Sequence, residues 1–80
     1  MMDLEIITPK GIEFAGPAEK IILPATTGEI TVLPDHMPLI SVLKAGKMKI
    51  IAENKETEKE IEGGVLEVGK GKIIILLKKF

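Results

Sequence analysis

Glycine, proline and asparagine divide this chain into short runs, and helical periodicity between the breaks is nearly absent. What recurs instead is a β-like run every eight to twelve residues or so, the spacing of a sandwich or barrel. Asp3 to Thr8 stops at Pro9-Lys10-Gly11, and Ile12 to Phe14 ends at Ala15-Gly16-Pro17. Ala18 to Leu23 is closed by Pro24, and Glu29 to Leu33 and Leu39 to Leu43 flank a corner with two prolines. Lys47 to Glu53 alternates through Met48, Ile50 and Ala52, with Asn54-Lys55 as a tight turn because asparagine tolerates positive φ. Glu56 to Glu62 returns, and Gly63-Gly64 breaks it. Val65 to Val68 and Lys72 to Lys78 form a last hairpin around Gly69-Lys70-Gly71. No connection is long enough for a crossover helix, so antiparallel pairing is expected throughout. The expected fold is therefore all-β: one domain over residues 1–80, an antiparallel β-sandwich or flattened barrel of about nine to ten short strands. The last strand is expected beside one from the first half.

Eighty residues form one small domain, which buries about two-thirds of its unfolded surface. The 45% apolar content supplies one core. Twelve acidic against eleven basic side chains leave a net charge of −1, without the basic excess that binding nucleic acid by counterion release requires. With no cysteine there is neither a disulfide framework nor a thiolate metal site, a composition that fits a reducing cytoplasm. The apolar run Ile73 to Leu77 is too short to span a bilayer. The opening Met-Met-Asp-Leu-Glu shows no signal peptide, so membrane contact is expected only indirectly, through partner proteins.

Two stretches stand out from this pattern. Thr27 to Leu39 runs from a β-branched segment into Pro34-Asp35-His36-Met37-Pro38, which holds the only histidine. The paired prolines fix φ twice and remove two backbone donors, so the segment between them is a rigid turn presenting Asp35 and His36. Ile73 to Leu77 places apolar groups on both faces of one strand, where a half-buried strand should have a polar face. Two readings stay open: barrel closure covers the outer face, or a partner docks there. By contrast, Glu56, Glu58, Lys59, Glu60 and Glu62 mark an exposed edge guarded against pairing.

The corner resembles the signature of the ε-subunit family of F-type ATP synthases, written G-E-x-G-[IV]-[LY]-P-G-H-A-P-L. Thr8-Pro9, Ala18-Glu19-Lys20-Ile21, Leu43-Lys44-Ala45-Gly46 and Gly63-Gly64-Val65-Leu66-Glu67-Val68 follow in register, so the resemblance covers essentially the whole chain. It implies a non-catalytic rotor subunit of the central stalk. Such a subunit binds γ and the c-ring, couples proton or ion flow to ATP synthesis, and sits at the cytoplasmic face of the membrane within the complex. Carried over by position, Glu29 and His36 are expected at the c-ring, where Asp35 adds a charge, and Leu39, Ile40 and Val42 at γ. Ile74 and Leu76, as outward members of the apolar run, are expected to join the γ contact. Thr31 stands where the family usually has Gly, Asp35 where Gly is common, Met37 where Ala is usual and Ala45 where Pro often sits. Family members usually continue into an inhibitory helical hairpin. Here fewer than one helical turn follows Leu77, and the expectation is a subunit without ATP-responsive inhibition of its own.

Other chemistries are poorly supported. A relay from Asp35, His36 and Ser41 would need close neighbours to converge from a corner, and no G-x-S-x-G elbow accompanies it. Gly69-Lys70-Gly71-Lys72 lacks the spacing of a phosphate loop and a following helix. His36 with Asp35 and Glu29 supplies too few ligands for a zinc site. No cofactor is expected. The alternative to the rotor reading is a stand-alone OB-like or sandwich module for a small ligand or oligonucleotide. It is weakened by having only Phe14 and Phe80 as stacking platforms. For His36 itself, the plainer reading is a turn histidine bonded to a backbone carbonyl.

Overall fold

The computed structural model describes residues 1–78, with Lys79 and Phe80 outside the described residues. Nine strands follow one another: β1 (Met2–Thr8), β2 (Gly11–Ala18), β3 (Lys20–Ala25), β4 (Gly28–Val32), β5 (Leu39–Leu43), β6 (Gly46–Ala52), β7 (Lys55–Ile61), β8 (Gly64–Val68) and β9 (Lys72–Leu77). They form one curled sheet in the order β2-β1-β9-β8-β5-β3-β6-β7, with β4 on the other side of β3. Only the Ala25–Leu43 pair joins β3 to β5 in register. The sheet therefore folds over there into a five-strand half (β2-β1-β9-β8-β5) and a four-strand half (β4-β3-β6-β7). Four connections pass between the halves: β2 to β3 through Glu19, β4 to β5 through residues 33–38, β5 to β6 through Lys44 and Ala45, and β7 to β8 through Glu62 and Gly63. Strands that change sheets in this way are how a short chain closes a sandwich without long loops.

Period-two alternation sorts every strand into an inner and an outer row. Leu4 and Ile6, Ile21 and Leu23, Met48 and Ile50, and Ile73 and Ile75 are buried and meet in a single core. At about 1.5–3 kcal/mol for each large aliphatic side chain, this burial is what holds the domain together. Thr8 is the one buried polar residue among those described, and its hydroxyl accepts from the Lys10 N–H and lies 3.3 Å from a Glu13 carboxylate oxygen.

The all-β expectation holds, but antiparallel pairing is not universal. β9 lies beside β1, as expected of the last strand, and the two run parallel from Asp3–Lys72 to Ile7–Leu76. The crossover rule limits consecutive strands. β1 and β9 are joined by all the intervening strands, so their direction was free. The β6–β7 turn also differs: Ala52 pairs with Lys55, and Glu53 and Asn54, at φ 52° and 61°, form it. Positive φ at both central positions is the type I′ pattern whose twist suits a hairpin. Asn54 is anchored there by its N–H to Glu19 Oε1, 3.2 Å.

Gly64 is demanded by packing. A Cβ there would collide with the Leu76 carbonyl oxygen, so β8 runs against β9 at this point in a way that admits only glycine. Among the described residues β7 pairs with β6 alone and is an edge of the sheet. Its Glu56, Glu58 and Glu60 face outward, as the charge pattern predicted for an edge.

Candidate docking surfaces

The corner between β4 and β5 is a compact turn. The His36 N–H donates to the Leu33 carbonyl at 3.1 Å, with Pro34 second in the turn and Asp35 third at φ 72°. Proline followed by a positive-φ residue is the type II arrangement, whose third position favours glycine. Asp35 is therefore a short polar side chain held where glycine is easier, tolerated because aspartate visits this region more readily than most residues. The His36 ring is half-buried, and its Nδ1 lies 2.7 Å from the Met37 carbonyl oxygen. A carbonyl only accepts, so Nδ1 is the donor in this contact, and among the described residues Nε2 has no hydrogen-bond partner. This geometry matches the turn-histidine reading and leaves no Nδ1 for a relay with Asp35. Ser41 lies half-buried on β5 opposite Leu66, away from any such relay.

Asp35 and Met37 are exposed beside His36, and the corner packs near the β8–β9 turn at Gly69 and Gly71. Glu29 is exposed but stands second in β4, opposite Pro24. Its separation from Val32, where β4 meets the corner, is about 10 Å at ~3.3 Å per residue. Among the described residues no hydrogen bond or ion pair joins Glu29 to Asp35 or His36. The corner thus holds Asp35 and His36 together, and Glu29 lies apart on the four-strand half.

The other sequence-selected residues sit on the five-strand half, and register sorts them. Within the apolar run, Ile73, Ile75 and Leu77 are buried, whereas Ile74 is half-buried and Leu76 is 46% exposed. On β5, Ile40 and Val42 face outward at 73% and 56% exposure. Leu39 is different: it is partly buried and packs against the core. Val65, Ile7 and Ile12 were not singled out by sequence, yet they share the outer face, since Val42 pairs with Val65, Val65 with Leu76, Leu76 with Ile7 and Ile7 with Ile12. Their signal was present as outward positions in alternating runs, but only cross-strand register assembles them into one surface.

A cavity of about 410 Å³ occupies the seam where β2 faces β6 and β7, floored by Ile6, Phe14, Met48 and Ile50 and rimmed by Glu13 and Lys55. Among the described residues no group of three or more His, Asp or Glu is placed to hold a metal ion, and no helix is long and apolar enough to cross a membrane.

The family model for the β-sandwich domain of the ATP synthase delta/epsilon chain matches residues 1–80. The chain belongs to this family. An ATP synthase epsilon chain from Campylobacter curvus is 41% identical over 76 residues, covering 94% of this chain and 59% of its own length. One from Brevibacillus brevis is 38% identical over 76 residues, covering 94% of this chain and 58% of its own. This member of the delta/epsilon family thus spans about three-fifths of the length of these relatives. A chain of the Euglena gracilis mitochondrial ATP synthase, solved as OSCP/F1/c-ring, superposes with a TM-score of 0.89 at 23% identity, over 95% of this chain and 49% of that one. A chain of the Tetrahymena thermophila central stalk/c-ring gives a TM-score of 0.85 at 16% identity, over 98% and 63%. At such identities these likenesses speak to the shared fold of the family.

Proposed function

We propose that residues 1–80 act as one β-sandwich domain of a non-catalytic rotor subunit of an F-type ATP synthase. In this role the domain binds γ and rests on the c-ring, coupling ion flow to ATP synthesis at the cytoplasmic face of the membrane. Family membership supports the assembly. The observation that carries the mechanism is the outward apolar face of the five-strand half, where Ile40, Val42, Ile74 and Leu76 stand exposed or half-exposed. A folded domain this small has no second layer to cover such a face, so a partner that transmits torque has a rigid apolar surface to grip.

The corner serves the other contact. Asp35 and His36 sit on a turn fixed by Pro34 and by two hydrogen bonds, so they meet the polar loops of the c-ring without first having to be ordered. Glu29 adds a charge from the neighbouring half. Leu39 supports β5 from within and reaches γ only at its edge. The deciding experiment is co-purification of this chain with γ and with the c-ring. Retention on γ that is lost in Leu76→Lys but kept in His36→Ala is the expected result. His36→Ala or Glu29→Gln should instead lower proton-coupled ATP synthesis in the assembled complex. Failure to retain γ at all would overturn the rotor reading.

A further inference from the structure

The outer face of the five-strand half is ordered beyond its apolar composition. Ile12, Ile7, Leu76, Val65 and Val42 stand opposite one another in turn across β2, β1, β9, β8 and β5. They make a continuous row about 19 Å long at ~4.8 Å per strand. Ile12 is 62% exposed, Val42 56%, Leu76 46% and Val65 36%. On one side of this row lies the next outward row, in which Ile40 pairs with Glu67, Glu67 with Ile74 and Ile74 with Glu5. On the other side, alternation beyond Val42 and Leu76 places Lys44 and Lys78, both exposed. Among the described residues none of these four charges is held in an ion pair. The row is thus apolar along its crest, with two carboxylates set between isoleucines on one flank and two lysines on the other.

We propose that this row is a self-association surface, on which two copies of the chain pack face to face about a two-fold axis parallel to the row. Rotation about that axis lays each apolar side chain over its counterpart. It also brings the Glu5 and Glu67 flank of one copy against the Lys44 and Lys78 flank of the other, twice by symmetry, each carboxylate one strand spacing (~4.8 Å) along the row from a lysine. A two-fold axis parallel to the strands would instead set carboxylate over carboxylate and lysine over lysine, so charge selects the first arrangement.

Magnitude sets what kind of dimer this is. A row about 19 Å long and three outward positions wide covers a few hundred Å² per copy, below the ~800 Å² per partner of a standard interface. The dimer is therefore weak, forming at roughly 10–100 μM, and the exposed charges make it salt-sensitive. The same surface is offered to γ in the functional reading above, so a second copy and γ exclude one another. Dimerisation then shields the apolar row of the free chain until assembly. Self-association does not depend on γ being the partner, and its test uses this chain alone.

The experiment is sedimentation velocity of the full chain from about 10 μM to 1 mM at low and high salt. A monomer–dimer equilibrium, weakened about tenfold or more by salt, is expected. Glu5→Lys with Glu67→Lys makes both flanks basic, and Lys44→Glu with Lys78→Glu makes both acidic. Each double variant alone should dimerise at least about tenfold more weakly than the native chain, whereas their equimolar mixture should recover native affinity to within about threefold. Circular dichroism and melting of each variant establish that it is folded, and Leu76→Lys provides a second route to the monomer. A native chain that stays monomeric to 1 mM overturns the proposal. So do double variants that dimerise as well as the native chain, and a mixture that fails to re-associate.

Discussion

The two halves of the sandwich turn opposite kinds of surface to their surroundings. On the five-strand half, the outward row runs Ile12, Ile7, Leu76, Val65, Val42. On the four-strand half, the matching rows run Thr31, Ile22, Lys49, Glu58 and Lys20, Ile51, Glu56. There the cations meet the carboxylates: Lys47 and Lys49 lie 3.5 Å and 3.7 Å from the two oxygens of Glu58. Inner faces are apolar in both halves, and both obey the same alternation. What separates them is the identity of every second residue, so a sheet can be made a docking face or a solvated face without changing its core. The apolar half also contains the parallel β1–β9 pair and the β8–β9 contact at Gly64, which leaves it the less tolerant of change.

The strongest way to break this contrast is at that contact. Gly64→Ala drives a Cβ into the Leu76 carbonyl and is expected to cost about 3 kcal/mol, read from urea denaturation midpoints. Gly16→Ala, whose Cβ would meet only the Phe14 ring at 3.7 Å, should cost well under half of that. A variant of Gly64 as stable as the native chain would show that the β8–β9 strands can part.

Next comes the surface itself. Leu76→Lys should weaken capture of γ by about 30- to 100-fold, roughly 2–3 kcal/mol, with melting unchanged. Lys49→Leu, on the opposite face, should leave capture within about twofold. If melting collapses in Leu76→Lys, the side chain belongs to the core and the contrast between the halves fails.

Smaller effects test the turns. Glu53, at φ 52°, occupies a position that suits glycine, and Glu53→Gly should stabilise by about 0.5–1 kcal/mol in thermal unfolding. Asp35→Gly should stabilise less, because aspartate already tolerates positive φ. The smallest change is expected at the solvated face. Glu58→Gln removes both exposed ion pairs and should shift stability by less than about 0.5 kcal/mol, the usual worth of such pairs.

Much of this was legible in the residues. The breakers located most of the nine strands to within two residues, because Gly and Pro act on local φ and on backbone donors regardless of distant partners. β2 is the exception, since Gly16 and Pro17, read as ending it at Phe14, lie within it opposite Leu4 and Asp3, and Pro24 likewise lies within β3. The Pro34–Pro38 corner was readable for the same reason, and the carbonyl-bonded His36 was among the readings it allowed. The β6–β7 turn was displaced by one residue, since Asn54 signals a turn without saying which side of it the strand resumes. Leu39 was grouped with its exposed neighbours Ile40 and Val42, although alternation turns it inward. Ile7, Ile12 and Val65 do not stand out in the sequence, because each is an ordinary outward residue on its own strand.

Sequence by itself determined what is local: a chain of short strands, apolar on one side, with rigid turns and a charged edge at β7. The tertiary structure alone decided which strands became neighbours, that β9 would lie parallel to β1, and which members of the Ile73–Leu77 run face out. The physical reason is that alternation fixes only two sides of a strand. Which side is buried, and which residue stands across from it, depends on pairings between segments as distant in the chain as β1 and β9, whose energy appears only when the sheet closes.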